Sequence, residues 1–216
     1  MDPPPLAAVA HELRTPLSAM LGYLSLLDHP RYQDRQAELI GNLRRSAELM
    51  AVMLTNVALS ESLERGLEVV FEPVPLAELL VEVGSILGPV AQGRGLELEV
   101  GPAEGLAVHG ERGLLRQVLF NLVTNAIRNT EAGEVRVEVT RRGAQLELAV
   151  TDTGRGMAPE ELAMACVKFA RLPSHRQGLG LGLYVSAGLL ELHCSRLELS
   201  SEVGKGTRAA FRLEAV

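Results

Sequence analysis

Two stretches near the start of the chain place apolar residues three or four positions apart, which is the repeat of an α-helix. The first stretch covers residues 6–27 and the second covers residues 40–57. Residues 28–31 separate the two stretches, and a proline among short polar residues there favours a turn. The pattern therefore predicts a helical hairpin with one apolar stripe along each helix.

A single hairpin of this kind leaves much of its apolar seam in water. Two hairpins that pair into a four-helix bundle cover that seam. We therefore expect residues 1–65 to form a dimerisation domain, and the protein to be a homodimer.

The apolar repeat changes to two after about residue 66, as in a strand with one buried face. Strands are predicted at residues 96–100, 135–139, 146–150, 197–199 and 211–213. Helices are predicted at residues 75–92, 111–130 and 179–193. This predicts a second domain, residues 66–216, built as a two-layer α/β sandwich with helices on one side of a mixed sheet. The whole chain is then of the α+β class, and only residues 157–177 lack a period, as in a lid or a disordered loop.

Composition excludes several classes of function. The 216 residues carry a scattered net charge of -6, so we expect no nucleic-acid partner. No apolar run reaches the roughly 18 to 20 residues that span a bilayer, so we expect no membrane segment and a soluble, cytoplasmic protein. Cys166 and Cys194 lack a metal-like spacing, and we assign them no role.

His11 lies roughly opposite the apolar stripe of the first helix, because it is offset by two residues from its neighbours in that stripe. Taken alone, it is most simply a surface histidine. Pro16 alters that interpretation, since a proline inside a helix costs about 3 kcal/mol or more and places strain within a turn of His11. Glu12 adjoins the histidine, and Thr15 is four residues further on the same face.

The sequence of residues 11–17, His-Glu-Leu-Arg-Thr-Pro-Leu, resembles the phospho-acceptor motif of sensor histidine kinases. The resemblance implies that the imidazole of His11 attacks the terminal phosphorus of ATP, and that Glu12 takes a proton from the other ring nitrogen. A neutral imidazole needs such a base to act as a nucleophile near pH 7. The resemblance also implies transfer of the phosphoryl group to an aspartate of a response regulator.

Thr15 indicates a second activity. In the resembled family, a threonine or asparagine at this place marks kinases that are also phosphatases. An uncharged hydroxyl there can hold a water near the acceptor site, so we expect phosphatase activity toward the partner regulator. The alternative is that Thr15 only relieves the backbone around Pro16.

Asn121 and Asn125 are four residues apart on the helix predicted at residues 111–130, and Arg128 follows them. Amides on a helix are more often packing residues than ligands. Two carboxamides on one face can nevertheless supply oxygen to a magnesium ion, and the arginine can meet phosphate. The stretch resembles the asparagine motif of the ATP-binding fold shared by histidine kinases, gyrase, a heat-shock chaperone and mismatch-repair ATPases. We therefore expect ATP and Mg²⁺, with Asn121 and Asn125 as metal ligands.

Glycine-rich motifs follow in the order of the same family. Asp152, Gly154 and Gly156 end a predicted strand, and alone they would indicate a tight turn. In the resembled family this aspartate accepts a hydrogen bond from the amine of adenine. The residues that open the last predicted helix are Gly178, Leu179, Gly180, Leu181 and Gly182. Their backbone amides and the helix N-terminus can meet phosphate groups.

The resemblance extends over nearly the whole chain, from about residue 6 to residue 213. Phe169 and Arg171 resemble the phenylalanine motif of the family's lid, and Thr207 matches its last turn. The chain departs from the pattern at Asn129, where the family often has an aromatic residue near the adenine, and its lid retains one aromatic side chain.

Two other functions fit part of the pattern. An ATP-hydrolysing machine of the gyrase or chaperone type uses a glutamate base where this chain has Asn121, and an amide cannot take a proton from water. A binding module, such as an anti-sigma factor or a scaffold, would not need His11 and Glu12 on a dimerising hairpin. The sequence therefore favours the histidine kinase.

Overall fold

A computed structural model of the chain has a helical hairpin followed by an α/β sandwich. It describes residues 6–27, 29–170 and 180–216, without the side chains of residues 6–8, 11, 12 and 30. The helices are α1 (Leu6–Leu27), α2 (Gln36–Arg65), α3 (Leu76–Gln92), α4 (Arg112–Asn129), α5 (Pro159–Met164) and α6 (Gly182–Leu192). The strands are β1 (Glu72–Pro75), β2 (Glu97–Val100), β3 (Ala107–Gly110), β4 (Glu134–Arg142), β5 (Gln145–Asp152), β6 (Glu198–Glu202) and β7 (Gly206–Glu214).

The predicted hairpin is confirmed as α1 packed along α2. Helix α1 continues through Pro16, which is buried. The predicted turn is longer than expected, because a 3-10 helix, Pro30–Arg35, follows His29. Helix α2 then begins before residue 40, at a polar first turn where Arg35 pairs with Glu38 at 2.8 Å. Apolar periodicity cannot mark a turn of this composition, so the sequence placed the helix start too late.

The main sheet has the strand order β2-β4-β5-β7-β6. Strands β2 and β4 are parallel and the other pairs are antiparallel, which confirms the predicted mixed sheet. Val135, Val137, Leu146 and Leu148 alternate along β4 and β5 and are buried against the helices. The strand period read from the sequence therefore identifies the covered face of the sheet.

The opposite face of the sheet holds one buried acid. Glu147 is only 4% exposed, and its carboxylate meets Arg142, Arg208 and Arg212 at 3.5, 2.8 and 3.1 Å. The hydrogen bond from Arg212, and then that from Arg208, hold the pKa of Glu147 below its usual value. On this face of the sheet, arginine side chains therefore cover a carboxylate and neutralise its charge.

Helix α4 is buried on nearly all sides. The Glu111 carboxylate accepts hydrogen bonds from the amides of Gly113 and Leu114 and so caps its N-terminus. The helix contacts the sheet, α3, α6 and α2, and its apolar side chains form much of the core. Its polar residues Gln117 and Asn121 are buried too, on the side toward α2.

Two strands and one helix were not predicted. Strands β1 and β3 form a separate antiparallel pair, in which Val74 lies opposite Val108. The prolines of β1 are rare in strands, and its four residues lack the alternation of apolar and charged side chains found in β2. Helix α5 lies in the segment predicted to be irregular, and it too is short, at six residues. Among the described residues, no helix combines the length and hydropathy needed to cross a bilayer.

Candidate functional site

A pocket opens between α4, the ends of β5 and β7, the start of α6 and helix α2. Several of the residues predicted from the sequence to bind nucleotide or metal line this pocket. They are Asn121, Asn125, Arg128, Asp152, Gly156, Gly180, Leu181, Gly182 and Thr207. Motifs that are far apart in the chain therefore meet at one pocket, because α4 packs against both β5 and α6.

Asp152 ends strand β5 and is nearly buried at the pocket wall. Its Oδ1 atom accepts hydrogen bonds from the amides of Gly154 at 2.9 Å and Thr207 at 3.2 Å. Burial raises the pKa of this carboxyl group, and the two backbone hydrogen bonds partly oppose that rise. The side chain is therefore held in one orientation, and its further lone pairs can accept from the N–H group of a ligand.

Glycines allow the turn after β5 to pack against neighbouring backbone. A Cβ atom on Gly154 would lie 2.2 Å from the carbonyl oxygen of Asn129, and one on Gly156 would lie 1.9 Å from that of Glu202. Gly206 has a positive φ and approaches the carbonyl of Asp152 equally closely. These contacts fix the turn to the β6–β7 hairpin, so the Asp-x-Gly-x-Gly motif has a steric requirement here.

Ser201 is a site residue that the sequence analysis missed. Its hydroxyl accepts from the amide of Met157 at 2.8 Å, lies 2.9 Å from the hydroxyl of Thr207, and donates to the carbonyl of Gly206. It thereby joins the turn after β5 to the start of β7. A serine in a polar strand carries no sequence signal for this role, because the three partners lie in different segments.

Asn121 and Asn125 of α4 have different surroundings. Asn125 lines the pocket, and its Nδ2 atom would lie 3.6 Å from a Cβ atom on Gly182. The Oδ1 atom of Asn121 accepts hydrogen bonds from Asn56 at 2.8 Å and from Gln117 at 3.3 Å. The side chain of Asn125 therefore lies at the pocket, whereas the carboxamide oxygen of Asn121 is already engaged in this conformation.

The glycine-rich segment is described only from Gly180 onward, because Gly178 and Leu179 lie outside the described residues, as does Arg171. Gly180 has φ +64° and its carbonyl accepts from the amide of Phe169 at 3.0 Å. Helix α6 begins at Gly182, so its first-turn amides lie at the pocket. A helix N-terminus in this position favours an anionic ligand.

His11, Glu12 and Thr15 belong to helix α1. The side chains of His11 and Glu12 are outside the described residues, and that of Thr15 is exposed. Helix α2 of the same hairpin supplies Leu49, Val52, Met53 and Asn56 to the pocket lining. The sequence did not indicate that α2 lines the pocket, because its apolar repeat predicted only packing within the helical hairpin.

The fold and the pocket define a two-part protein, in which a helical hairpin is followed by an α/β sandwich that carries the pocket. Residues 6–66 match the His kinase A (phospho-acceptor) domain family. Residues 110–216 match the histidine kinase-, DNA gyrase B- and HSP90-like ATPase family.

Curated relatives match along the whole chain. An uncharacterised sensor-like histidine kinase of Rhizobium meliloti is 33% identical over 94% of this chain and 41% of its own length. The autoinducer 2 sensor kinase/phosphatase LuxQ of Vibrio cholerae is 34% identical over 96% of this chain and 26% of its own length. The chain thus spans less than half the length of these relatives.

A solved structure, full-length ShkA in complex with AMPPNP, is 26% identical, with a TM-score of 0.67 over 98% of this chain and 45% of that one. The histidine kinase AdeS of Acinetobacter baumannii shares the fold at 20% identity, with a TM-score of 0.61 over 94% of this chain and 97% of that one. The chain belongs to the sensor histidine kinases and comprises their catalytic core.

We expect Gly156→Ala to destabilise the sandwich by about 2 to 4 kcal/mol, because it adds a steric clash to an unfavourable positive φ. Gly143→Ala is the matched control, since Gly143 has φ +65° but open space around its Cβ position, and we expect it to cost about 1 kcal/mol. Urea unfolding of both variants measures the difference. Equal losses in the two variants would contradict the packing described for this turn.

Proposed function

We propose that this chain uses magnesium and ATP to phosphorylate His11 and then transfers the phosphoryl group to an aspartate of a response regulator. The proposal extends the family assignment to an activity of this chain. One observation carries it: the pocket that gathers Asn125, Asp152 and the start of α6 lies against the second helix of the hairpin whose first helix bears His11. Acceptor and nucleotide site are therefore joined in one molecule.

The chemistry assigns a role to each group. A nitrogen of His11 forms a bond to the terminal phosphorus of ATP, the bond from that phosphorus to the bridging oxygen breaks, and ADP leaves. Glu12 takes the proton from the other ring nitrogen. Asp152 accepts a hydrogen bond from the amine of adenine. The backbone amides at the start of α6 and the side chain of Arg128 bind the phosphates. Phe169, Arg171 and Thr207 complete the nucleotide site in this proposal.

Magnesium, when bound, would neutralise charge on the phosphates of ATP. Asn125 is the residue whose surroundings suit this role. Asn121 becomes available only if it leaves its present hydrogen bonds. Amide oxygens suit Mg²⁺, and they add no negative charge near a triphosphate.

The division into an acceptor domain, residues 1–65, and a catalytic domain, residues 66–216, is part of the proposal. It is supported by the end of α2 at Arg65 and by Gly66, whose positive φ follows the helix. Hydrolysis of ATP by water is less favoured. The amide of Asn121 cannot act as the base that such an enzyme requires.

We expect His11→Gln to reduce labelling by γ-labelled ATP and magnesium to background, while nucleotide binding persists, because acceptor and pocket are separate. His29→Gln, an exposed histidine of the same hairpin, is the control and should label normally. The label should survive alkali and be lost in acid.

Asp152→Ala should weaken nucleotide binding about 10- to 100-fold through loss of a charged hydrogen-bond acceptor.

Labelling of His11→Gln at the wild-type level would contradict the acceptor assignment. Unchanged nucleotide affinity in Asp152→Ala would contradict the pocket assignment. The two outcomes are independent, since the first concerns α1 and the second concerns β5.

The hairpin also supports the proposal of a homodimer. Leu17, Leu21 and Leu24 on α1 are 47%, 59% and 49% exposed in the single chain. Ile40 and Leu54 on α2 are exposed as well. Exposed leucines that line one face of a helix form an apolar patch, and such a patch is typical of a protein–protein interface.

We expect the whole chain to sediment as a dimer at micromolar concentrations, and Leu21→Glu with Leu24→Glu to shift it to a monomer, because two charges would enter the apolar seam. Val81→Glu is the control, since Val81 is 71% exposed on α3, outside the hairpin, and should leave the dimer intact. A monomeric wild-type chain would refute the four-helix bundle.

Phosphatase activity toward the phosphorylated regulator is a further part of the proposal, and it rests on Thr15. Its side chain is exposed on α1, four residues from His11, so both positions share one helix face. A hydroxyl there can orient a water for in-line attack on a docked aspartyl phosphate. The name of one relative, sensor kinase/phosphatase, is consistent with the two activities in one chain.

We expect Thr15→Ala to retain labelling of His11 but to slow, by about 10-fold or more, the loss of phosphate from a matched regulator with ADP present. Ser18→Ala is the control, because Ser18 is exposed on the same helix. Equal rates of release in wild type and Thr15→Ala would mean that Thr15 has only a structural role beside Pro16.

A further inference from the structure

A pair of buried amides joins the hairpin to the catalytic domain. Asn56 on α2 is 7% exposed and Asn121 on α4 is 3% exposed. Each carboxamide donates to the other, from Asn56 Nδ2 to Asn121 Oδ1 at 2.8 Å and from Asn121 Nδ2 to Asn56 Oδ1 at 2.9 Å. A reciprocal pair of this kind forms only when the two carboxamides are coplanar and the two helices are at one distance from each other. It therefore specifies how α2 packs on α4.

The remaining hydrogen-bonding capacity of Asn121 is used within the catalytic domain. Gln117 donates to its Oδ1 at 3.3 Å, so the oxygen accepts two hydrogen bonds. Its Nδ2 contacts the carbonyl of Gly182 at 3.2 Å and the hydroxyl of Ser186 at 3.4 Å. An amide oxygen with two acceptor sites cannot also bind a metal ion without losing one of these partners.

Other contacts hold α2 in the same position. Leu63 packs against Gly188 of α6, where a Cβ atom would lie 2.8 Å from its methyl group. Glu64 meets Lys168 at 2.5 Å, next to the rings of Phe169 and Tyr184. Among these contacts, the Asn56 pair is the one that reaches a residue of the pocket selected as a metal ligand.

We propose that Asn56 and Asn121 form a latch, in which the docking of α2 on the catalytic domain and the binding of a metal ion by Asn121 exclude each other. This inference rests on the proposed function, since it assumes that magnesium nucleotide enters the pocket. In the latched state Asn125 is the amide available to the metal. Loss of the pair would loosen α2 around Asn56 and free the oxygen of Asn121 for a metal ion.

Mutual exclusion has a measurable consequence in both directions. If docking weakens binding of magnesium nucleotide, then magnesium nucleotide must weaken docking by the same factor. Nucleotide without metal does not compete with Asn56 for the Asn121 oxygen. The latch therefore predicts an effect that depends on the metal, which a purely structural contact would not produce.

The test measures hydrogen exchange of α2 in the whole chain. We expect AMPPNP with magnesium to raise exchange in the peptides that cover residues 49–63, and AMPPNP with EDTA to leave it unchanged. Binding in both conditions is followed by displacement of a fluorescent ATP analogue. Peptides from β4 and β5, in the core of the sandwich, serve as the internal control.

Variants then assign the effect to Asn56. We expect Asn56→Leu, which keeps the branched shape but removes the amide, to bind magnesium AMPPNP about 5- to 10-fold more tightly, with a change of less than about 2-fold in EDTA. Thr55→Leu, at the neighbouring exposed position, should change neither value. If Asn56→Leu does not fold, the exchange experiment on the wild-type chain still decides the matter.

Each outcome bears on a different claim. Metal-dependent release of α2 supports the latch. Binding of magnesium AMPPNP with no change in the exchange of α2, or with the same change in EDTA, refutes the latch and leaves the proposed function standing. Failure of magnesium AMPPNP to bind at all refutes the proposed function, and the latch with it.

Discussion

Helix α4 is the part of the structure on which the rest depends. Its apolar side chains fill the core between the sheet and α6, and its amides Gln117, Asn121 and Asn125 lie toward α2 and the pocket. The buried amides of Gln117 and Asn121 take protein partners, because water does not reach them. The partners found by these amides therefore fix the position of α2 and determine which oxygen atoms remain for a ligand.

The opposite wall of the pocket follows from close backbone packing. Gly154, Gly156 and Gly206 bring the turn after β5 against the β6–β7 hairpin, and Ser201 ties the two together. The same packing buries Asp152, which raises the pKa of its carboxyl group. Such an acid is costly for folding, since burial disfavours its charge, and it is also a well-oriented acceptor for a ligand. Close backbone packing and a desolvated acid thus lie together where a nucleotide is proposed to bind.

The sequence predicted the regular parts of the fold because burial there follows a local repeat. Residues 135–139 alternate in the sequence, and Val135 and Val137 are buried while Arg136 and Glu138 are not. Residues 146–150 are all buried, although only Leu146, Leu148 and Val150 belong to the apolar repeat. Helices α1, α3 and α4 begin and end within about a residue of the predicted bounds. Strands β1 and β3 were missed because they lack the alternation of apolar and charged side chains that marks β2. Helix α5 was missed because its six residues span less than about two helical turns. Ser201 and Asn56 were missed for another reason: each acts through partners that are distant in the chain.

What the sequence by itself determined is the set of chemical groups, namely the histidine motif on a helix, two amides four residues apart, an aspartate at a strand end and glycines before a helix. These follow from spacing, which local geometry converts directly into faces and turns. Only the tertiary structure decided how the groups are used. It turned Asn121 toward Asn56 and left Asn125 at the pocket, because a buried amide takes whichever partners the packing of distant helices brings within hydrogen-bonding distance.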